Sequence, residues 1–228
     1  MLALSIGVGM WRAWPNKQIK LNIQNSDSTF TIKFGDIFQE SGCICVNVNE
    51  FFDGIIGDHV SINSVHGQFI HNILGGQVTA FNDLVSKALV GESFEVVPRK
   101  SGNSKKYCIG TTAAIDVNGK RYLLFAHART DINTLKAYAS VPELWDSLAG
   151  LWQAIRIYSN GSVVSIPLVG SGLSGVGLPA INLIEIIIIS YSYYTKKNKI
   201  TGNVTLVLPV RLAEDINLLL MTDFWKKM

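Results

Sequence analysis

The stretch from Val163 to Tyr194 limits the fold more than any other part of the chain. A short apolar run, Val163 to Ile166, is followed by Val169-Gly170-Ser171-Gly172-Leu173-Ser174-Gly175-Val176-Gly177, and then by Pro179 and an isoleucine-rich segment. The apolar run suits a strand covered on both faces. The β-branched residues after Pro179 favour extended backbone, yet a proline tolerated in a first turn supports a helix up to Tyr194. A strand, a glycine loop and a helix in succession belong to α/β architecture.

The rest of the chain repeats that alternation. Ile19 to Ile23 and Thr29 to Lys33 alternate apolar and polar residues around Asn25-Ser26-Asp27-Ser28, which predicts a β-hairpin. Cys43-Ile44-Cys45-Val46-Asn47-Val48 is apolar until Asn47, as in a central strand. Ile62, Val65, Phe69, Ile70, Ile73 and Leu74 recur at helical steps before Gly75-Gly76, and a second helix spans Val78 to Val90. Pro98 to Lys106 reads as a polar loop whose basic residues sit at the surface. Strands follow at Tyr107 to Thr112 and Lys120 to His127, joined around Asp116-Val117-Asn118-Gly119, whose Asn-Gly pair signals a hairpin turn. Leu144, Leu148, Leu151, Trp152 and Ile155 form a helical stripe after Pro142, Val204 to Leu208 is a strand, and Ile216, Leu219, Leu220 and Phe224 suggest a closing helix. The expected fold is an α/β/α sandwich of three layers with a central mixed sheet, made by one domain over residues 17–228.

The apolar share of 48% and charged share of 16% describe a folded chain with a large core. The net charge of +3 comes from scattered Lys and Arg, so no basic stripe is present to hold successive phosphates, and a nucleic-acid partner is not expected. Cys43, Cys45 and Cys108 lie in apolar runs without zinc spacing, so no metal is expected and they read as reduced core thiols; a redox pair at Cys43 and Cys45 is the other reading. Residues 1–16 open with MLALSIGVGM and continue through Trp11-Arg12-Ala13-Trp14-Pro15. The apolar part is about half the roughly 20 residues of a spanning helix. Its tryptophans around an arginine fit the end of a transmembrane helix at the cytoplasmic interface, and a docked or unstructured N-terminus is the alternative.

Three segments carry candidate chemistry. In Val169 to Gly175 (Val169, Gly170, Ser171, Gly172, Leu173, Ser174 and Gly175), glycines let backbone amides converge on an anion at a strand's carboxyl end and beside a helix N-terminus; a purely structural turn is the competing explanation. Asp36, with Ile37 next to it, follows a strand in Phe34-Gly35-Asp36-Ile37, where a carboxylate could accept from an exocyclic amine or simply make a turn. Asn47 and Asn49 end the central strand ahead of Phe51-Phe52, placing amides near ribose hydroxyls and an aromatic ring near a base or ribose; asparagines in such places also cap loops. Ser64, His66 and Gly67 open the following helix. His66 falls near the apolar face of Ile62, Phe69 and Ile73, which favours a core histidine over a cavity-lining one.

In this order, the G-D-I segment, the strand ending in asparagines and the late glycine loop resemble the macrodomain family. The resemblance implies that Asp36 takes the adenine amine, that Ile37 offers an amide beside it, that Asn47 and Asn49 sit by a distal ribose, and that Val169 to Gly175 wrap a diphosphate. Enzymatic macrodomains carry a triple-glycine loop after the asparagines. Here the matching stretch is Phe51-Phe52-Asp53-Gly54-Ile55-Ile56-Gly57-Asp58, which points to recognition without turnover. Asn49-Glu50-Phe51-Phe52-Asp53 followed by Ile62-Asn63-Ser64-Val65-His66-Gly67-Gln68-Phe69-Ile70 is similar to the divergent macrodomain of Thoeris anti-phage membrane effectors. That likeness implies a bacterial receptor in the cytoplasm, anchored to the inner membrane through the N-terminal segment, without a cofactor and forming homo-oligomers. Its ligand would be ADP-ribose or a derivative such as histidine-ADP-ribose, a signal made by a partner TIR-domain enzyme that consumes NAD. The rival expectation is an ADP-ribosyl hydrolase, in which Asn47 or Asn49 works with Asp53 or Asp58 to place water. A subunit without any ligand is a third.

Overall fold

The computed structural model describes residues 18–226 except 25, 173 and 174. The N-terminal segment, Asn25 of the first turn, and Leu173 and Ser174 of the glycine loop lie outside the described residues. Strand β1 (Gln18–Asn22) pairs antiparallel with β2 (Thr29–Phe34). The later strands are β3 (Cys43–Asn49), β4 (Phe94–Val96), β5 (Lys105–Tyr107), β6 (Thr112–Val117), β7 (Lys120–Thr130), β8 (Ala137–Tyr138), β9 (Val164–Pro167) and β10 (Asn203–Leu208). The helices are α1 (Val65–Gln68), which runs on into a π-helical turn Phe69–Ile73, then α2 (Val78–Ala88), α3 (Val141–Tyr158), α4 (Ala180–Lys197) and α5 (Leu218–Lys226).

The main sheet has the order β1-β2-β10-β9-β3-β7-β6, with β8 added to the end of β7. From β2 through β7 all neighbours are parallel, and the two outer pairs are antiparallel, so the sheet is mixed. Parallel strands need both faces covered, and alternation along the strands shows how this is met. Cys43 and Cys45 of β3 and Leu123 and Phe125 of β7 face the layer of α3, α4 and α5; Ile44, Val46, Leu124 and Ala126 face the layer of α1 and α2. Each such fully buried aliphatic or aromatic side chain contributes on the order of 2 kcal/mol. Helix α3 begins with a capping box in which Ser140 Oγ accepts from the Glu143 amide and the Glu143 carboxylate accepts from the Ser140 amide.

Several sequence expectations shift. The hairpin turn at Asn118 and Gly119, both with positive φ, joins β6 to β7 as its residues predict, but β6 begins at Thr112. Tyr107 belongs instead to β5, which pairs with β4 in a separate two-stranded ribbon. The stretch between those strands is not all surface: the side chain of Arg99 is only 1% exposed. Cys108 is exposed, unlike Cys43 and Cys45. Ile62 lies outside the helix and is exposed, because α1 starts only after its cap Ser64. Among the residues of α5 whose side chains are described, Leu218 and Met221 are buried, whereas Leu219 and Leu220 face outward; Phe224 lies outside them. Among the described residues no helix is long and apolar enough to cross a membrane.

Candidate functional site

Because β2, β10, β9, β3 and β7 run parallel, their carboxyl ends meet along one edge of the sheet, where open α/β sheets hold ligands. A cavity of about 840 Å³ lies there. Its floor is made by the ends of those strands, and the segment His59 to Gln68 closes one side. Ala128 and Ala137 add small side chains that keep the space open.

After β2, the Gly35 amide continues the ladder by donating to Leu208 O at 2.9 Å. Asp36 then caps the 3-10 turn Ile37–Gln39, its Oδ1 accepting from the Phe38 amide at 3.0 Å. The other carboxylate oxygen has no partner among the described residues. Asp36 is exposed and lines the cavity together with the buried Ile37. The neighbouring strand β10 is followed by Pro209, Val210 and Arg211, which also line it. Asp36 is the sole carboxylate and Arg211 the sole permanent cation among the described lining residues. Both stand where β2 and β10 end.

At the end of β3 the pairing with β7 slips between Val48 and Asn49, a bulge that turns the chain away from the sheet. Asn47, half-buried, faces the cavity without a side-chain hydrogen bond among the described residues. Asn49 also lines it, yet its polar atoms are spoken for: Oδ1 accepts from the amides of Phe51 (3.2 Å) and Asp53 (3.1 Å), and Nδ2 donates to Asp53 Oδ2 at 3.0 Å. Phe52 takes a left-handed φ of 50° in this turn. Neither Phe51 nor Phe52 reaches the cavity; both are buried, Phe51 under the Arg99 guanidinium at 4.0 Å and Phe52 edge-on to Tyr107. The stacking expected of them on a base or ribose is therefore corrected.

The histidine helix divides in the same way. Ser64 and His66 line the cavity, but Ser64 Oγ donates to Ser61 O at 2.6 Å and accepts from the Gly67 amide at 3.0 Å. Gly67 is not part of the lining: a Cβ there would sit 2.1 Å from Ser61 O, so the glycine permits close packing of the helix start. His66 is buried against Phe81, its Nε2 has no partner, and burial pulls its pKa down to about 3, so the ring is neutral.

The glycine loop contributes Ser171 and Gly172 to the cavity. Val169 is a core residue, Gly170 has φ 83° and accepts from the Val176 amide, and Gly175 is exposed away from the lining. Of the fourteen described residues among the sixteen singled out from sequence, the cavity thus collects Asp36, Ile37, Asn47, Asn49, Ser64, His66, Ser171 and Gly172. Sequence reasoning missed His59, Ser61, Asn63 and Arg211. Arg211 had one signal, a cation directly after a strand of the parallel set.

Behind Asn49 and His59 sits a buried charged network. Asp53, fully buried, accepts from Arg99 Nη1 at 3.0 Å on each oxygen, from the Asn103 amide at 2.8 Å and from Asn49. Asp58 is exposed and outside the lining. A second pair holds the other flank, where Arg129 bridges Glu50 and Glu143 and burial raises the Glu50 carboxyl.

A mixed sheet in this order, helices on both faces and a cavity at the carboxyl edge define a macrodomain. The chain belongs to the family described as Thoeris protein ThsA, Macro domain, whose model matches residues 30–209. Among solved structures, an Oceanobacillus iheyensis macrodomain with ADP shares 17% identity at a TM-score of 0.62, over 92% of this chain and 98% of that one. A variant of it with ADPR shares 15% at 0.59, over 90% and 99%. A Trypanosoma brucei macrodomain in complex with ADP-ribose shares 10% at 0.52, over 82% and 66%. At these identities the likeness establishes the fold. No curated protein matches.

Proposed function

We propose that the cavity binds ADP-ribose or a nucleotide derived from it, and that the chain is a receptor module which does not turn its ligand over. The observation that carries this reading is the meeting of Asp36, Asn47 and Ser171-Gly172 in one cavity. In the sheet order β2 and β3 are three strand spacings apart, about 14 Å, a span suited to a base at one end, a diphosphate over the glycine loop and a sugar at the other. Structural relatives solved with ADP, ADPR and ADP-ribose support the same ligand class.

Recognition without hydrolysis is supported by the fate of the candidate acids. Both oxygens of Asp53 are saturated by donors behind the wall, and Asp58 points elsewhere, so neither is available to position water. Within the Thoeris setting of the family, the signal is a TIR-enzyme product such as histidine-ADP-ribose. Its binding drives homo-oligomerisation of a bacterial effector joined to the inner membrane through residues 1–16. What supports the last step is the apolar composition of that segment.

The experiment is calorimetry of ADP-ribose with the wild type and Asp36→Asn. Asparagine keeps an oxygen to cap the Ile37–Gln39 turn but loses the charge, so affinity falls roughly tenfold or more while the melting temperature holds. Unchanged affinity removes the adenine assignment, and multiple turnovers of an ADP-ribosylated substrate by pure protein would install the hydrolase reading instead. Mass spectrometry of small molecules released after exposure to TIR-enzyme products identifies the natural signal.

A further inference from the structure

The five residues Arg99-Lys100-Ser101-Gly102-Asn103, between β4 and β5, meet the segment Asn49 to His59 almost residue for residue. Arg99 Nη1 donates to both oxygens of Asp53, its Nη2 donates to His59 Nδ1 at 3.2 Å, and its guanidinium covers the Phe51 ring. Ser101 Oγ lies 3.0 Å from His59 Nε2. Asn103 gives its amide to Asp53 and its Nδ2 to Phe52 O at 2.7 Å and Phe51 O at 3.2 Å. Gly102 makes the approach possible, since a Cβ there would stand 2.5 Å from Asp53 Oδ1.

Two consequences follow for the cavity. An arginine can only donate, so in its contact with Arg99 the His59 Nδ1 accepts, leaving Nε2–H to donate to Ser101 Oγ; Asp53 Oδ2 stands farther off, 3.6 Å from Nδ1. Asn49 is likewise oriented by Asp53. Asn49 and His59 line the cavity, whereas Arg99 and Asp53 do not. The visible wall is therefore aligned by a charge pair hidden behind it. A buried ion pair is a weak source of stability compared with well-packed apolar side chains, and its best-attested use is to fix one arrangement among several.

We infer that Arg99 is a positioning residue for the ligand cavity: through Asp53 and His59 it sets the Asn49–His59 wall, and with it the preference for the group carried at that end of the nucleotide. This rests on the nucleotide reading of the cavity. The loop from Phe51 to Asp58 has given up most glycine flexibility, and the β4–β5 loop clamps it in one shape.

The test uses the full chain, Arg99→Lys and Ser101→Ala, the second removing only the contact to His59. Nitrogen-15 spectra of the ligand-free histidines are expected to show His59 with the proton on Nε2 in the wild type and a moved signal in both variants. Calorimetry with ADP and ADP-ribose, which differ by the terminal ribose, is expected to show the ADP-ribose to ADP affinity ratio falling about tenfold in Arg99→Lys. A smaller fall in the same direction is expected in Ser101→Ala, with ADP affinity nearly constant in both. A wild-type His59 protonated on Nδ1, or an affinity ratio that neither variant changes, overturns the inference. A wild type that binds neither nucleotide overturns the function proposed above, and the His59 signals then still decide whether the clamp exists.

Discussion

Two histidines buried as neutral rings make the fold sensitive to mild acid. Burial lowers the His66 pKa from 6.5 to about 3 and that of His127 to about 4. His127 Nδ1 meets Ser147 Oγ at 3.1 Å; because that hydroxyl donates to Leu144 O, the ring nitrogen carries the proton and Nε2 is left bare. Unfolding frees both rings to bind protons near their ordinary value, so the unfolded state takes up more protons than the folded one between pH 6.5 and 4, and stability falls as the pH falls. From pH 7 to pH 5 each histidine removes about 2 kcal/mol, together about 4 kcal/mol. Glu50 works in the opposite direction: its raised pKa makes the folded chain the better proton binder, which offsets part of the loss at the acid end. Urea unfolding followed by tryptophan fluorescence, with a slope of about 2 kcal/mol/M, should show the midpoint dropping by about 2 M between pH 7 and pH 5. Replacing either histidine by asparagine should remove about half of that drop. A midpoint independent of pH over this range, or a drop that persists in the double variant, refutes the assignment of these rings as the acid-sensitive groups.

Two further outcomes test the cavity and its support. Gly102→Ala places a Cβ against Asp53 and His59 at a φ of 82°; the left-handed backbone alone costs about 1–2 kcal/mol, so the melting temperature should fall by several degrees, and an unchanged melt means that the loop does not dock as described. Gly172→Ala adds a Cβ that has no atom of the described residues within 4 Å and stands on the cavity lining, so stability should hold while ADP-ribose affinity drops about tenfold or more. Wild-type affinity in calorimetry removes the glycine loop from the site.

The sequence displayed those parts of the molecule that depend on local chemistry. Period-two and period-3.6 patterns located the strands and helices of the sheet, and the Asn118-Gly119 turn stated its own geometry. Asp36, Asn47 and Ser171-Gly172 were legible because each lies in or shortly after the carboxyl end of a parallel strand, and parallel strands place their carboxyl ends together whatever lies between them in the chain. Side chains that act through distant partners left no such mark. Phe51 and Phe52 looked available because aromatic residues after a strand end can face either way, and only the inward turn fixed by Asn49 and Asn103 buries them. Arg99 read as solvated because a cation among Lys, Ser and Gly costs least in water. It is buried only because Asp53, 46 residues earlier, supplies the opposite charge, and desolvating either alone would be prohibitive. Such a pair becomes visible only when both members are seen together. The clue the chain did carry was Ser101-Gly102-Asn103, turn chemistry more polar than a three-residue strand like β4 needs, and the structure spends that polarity on the Asn49–His59 wall.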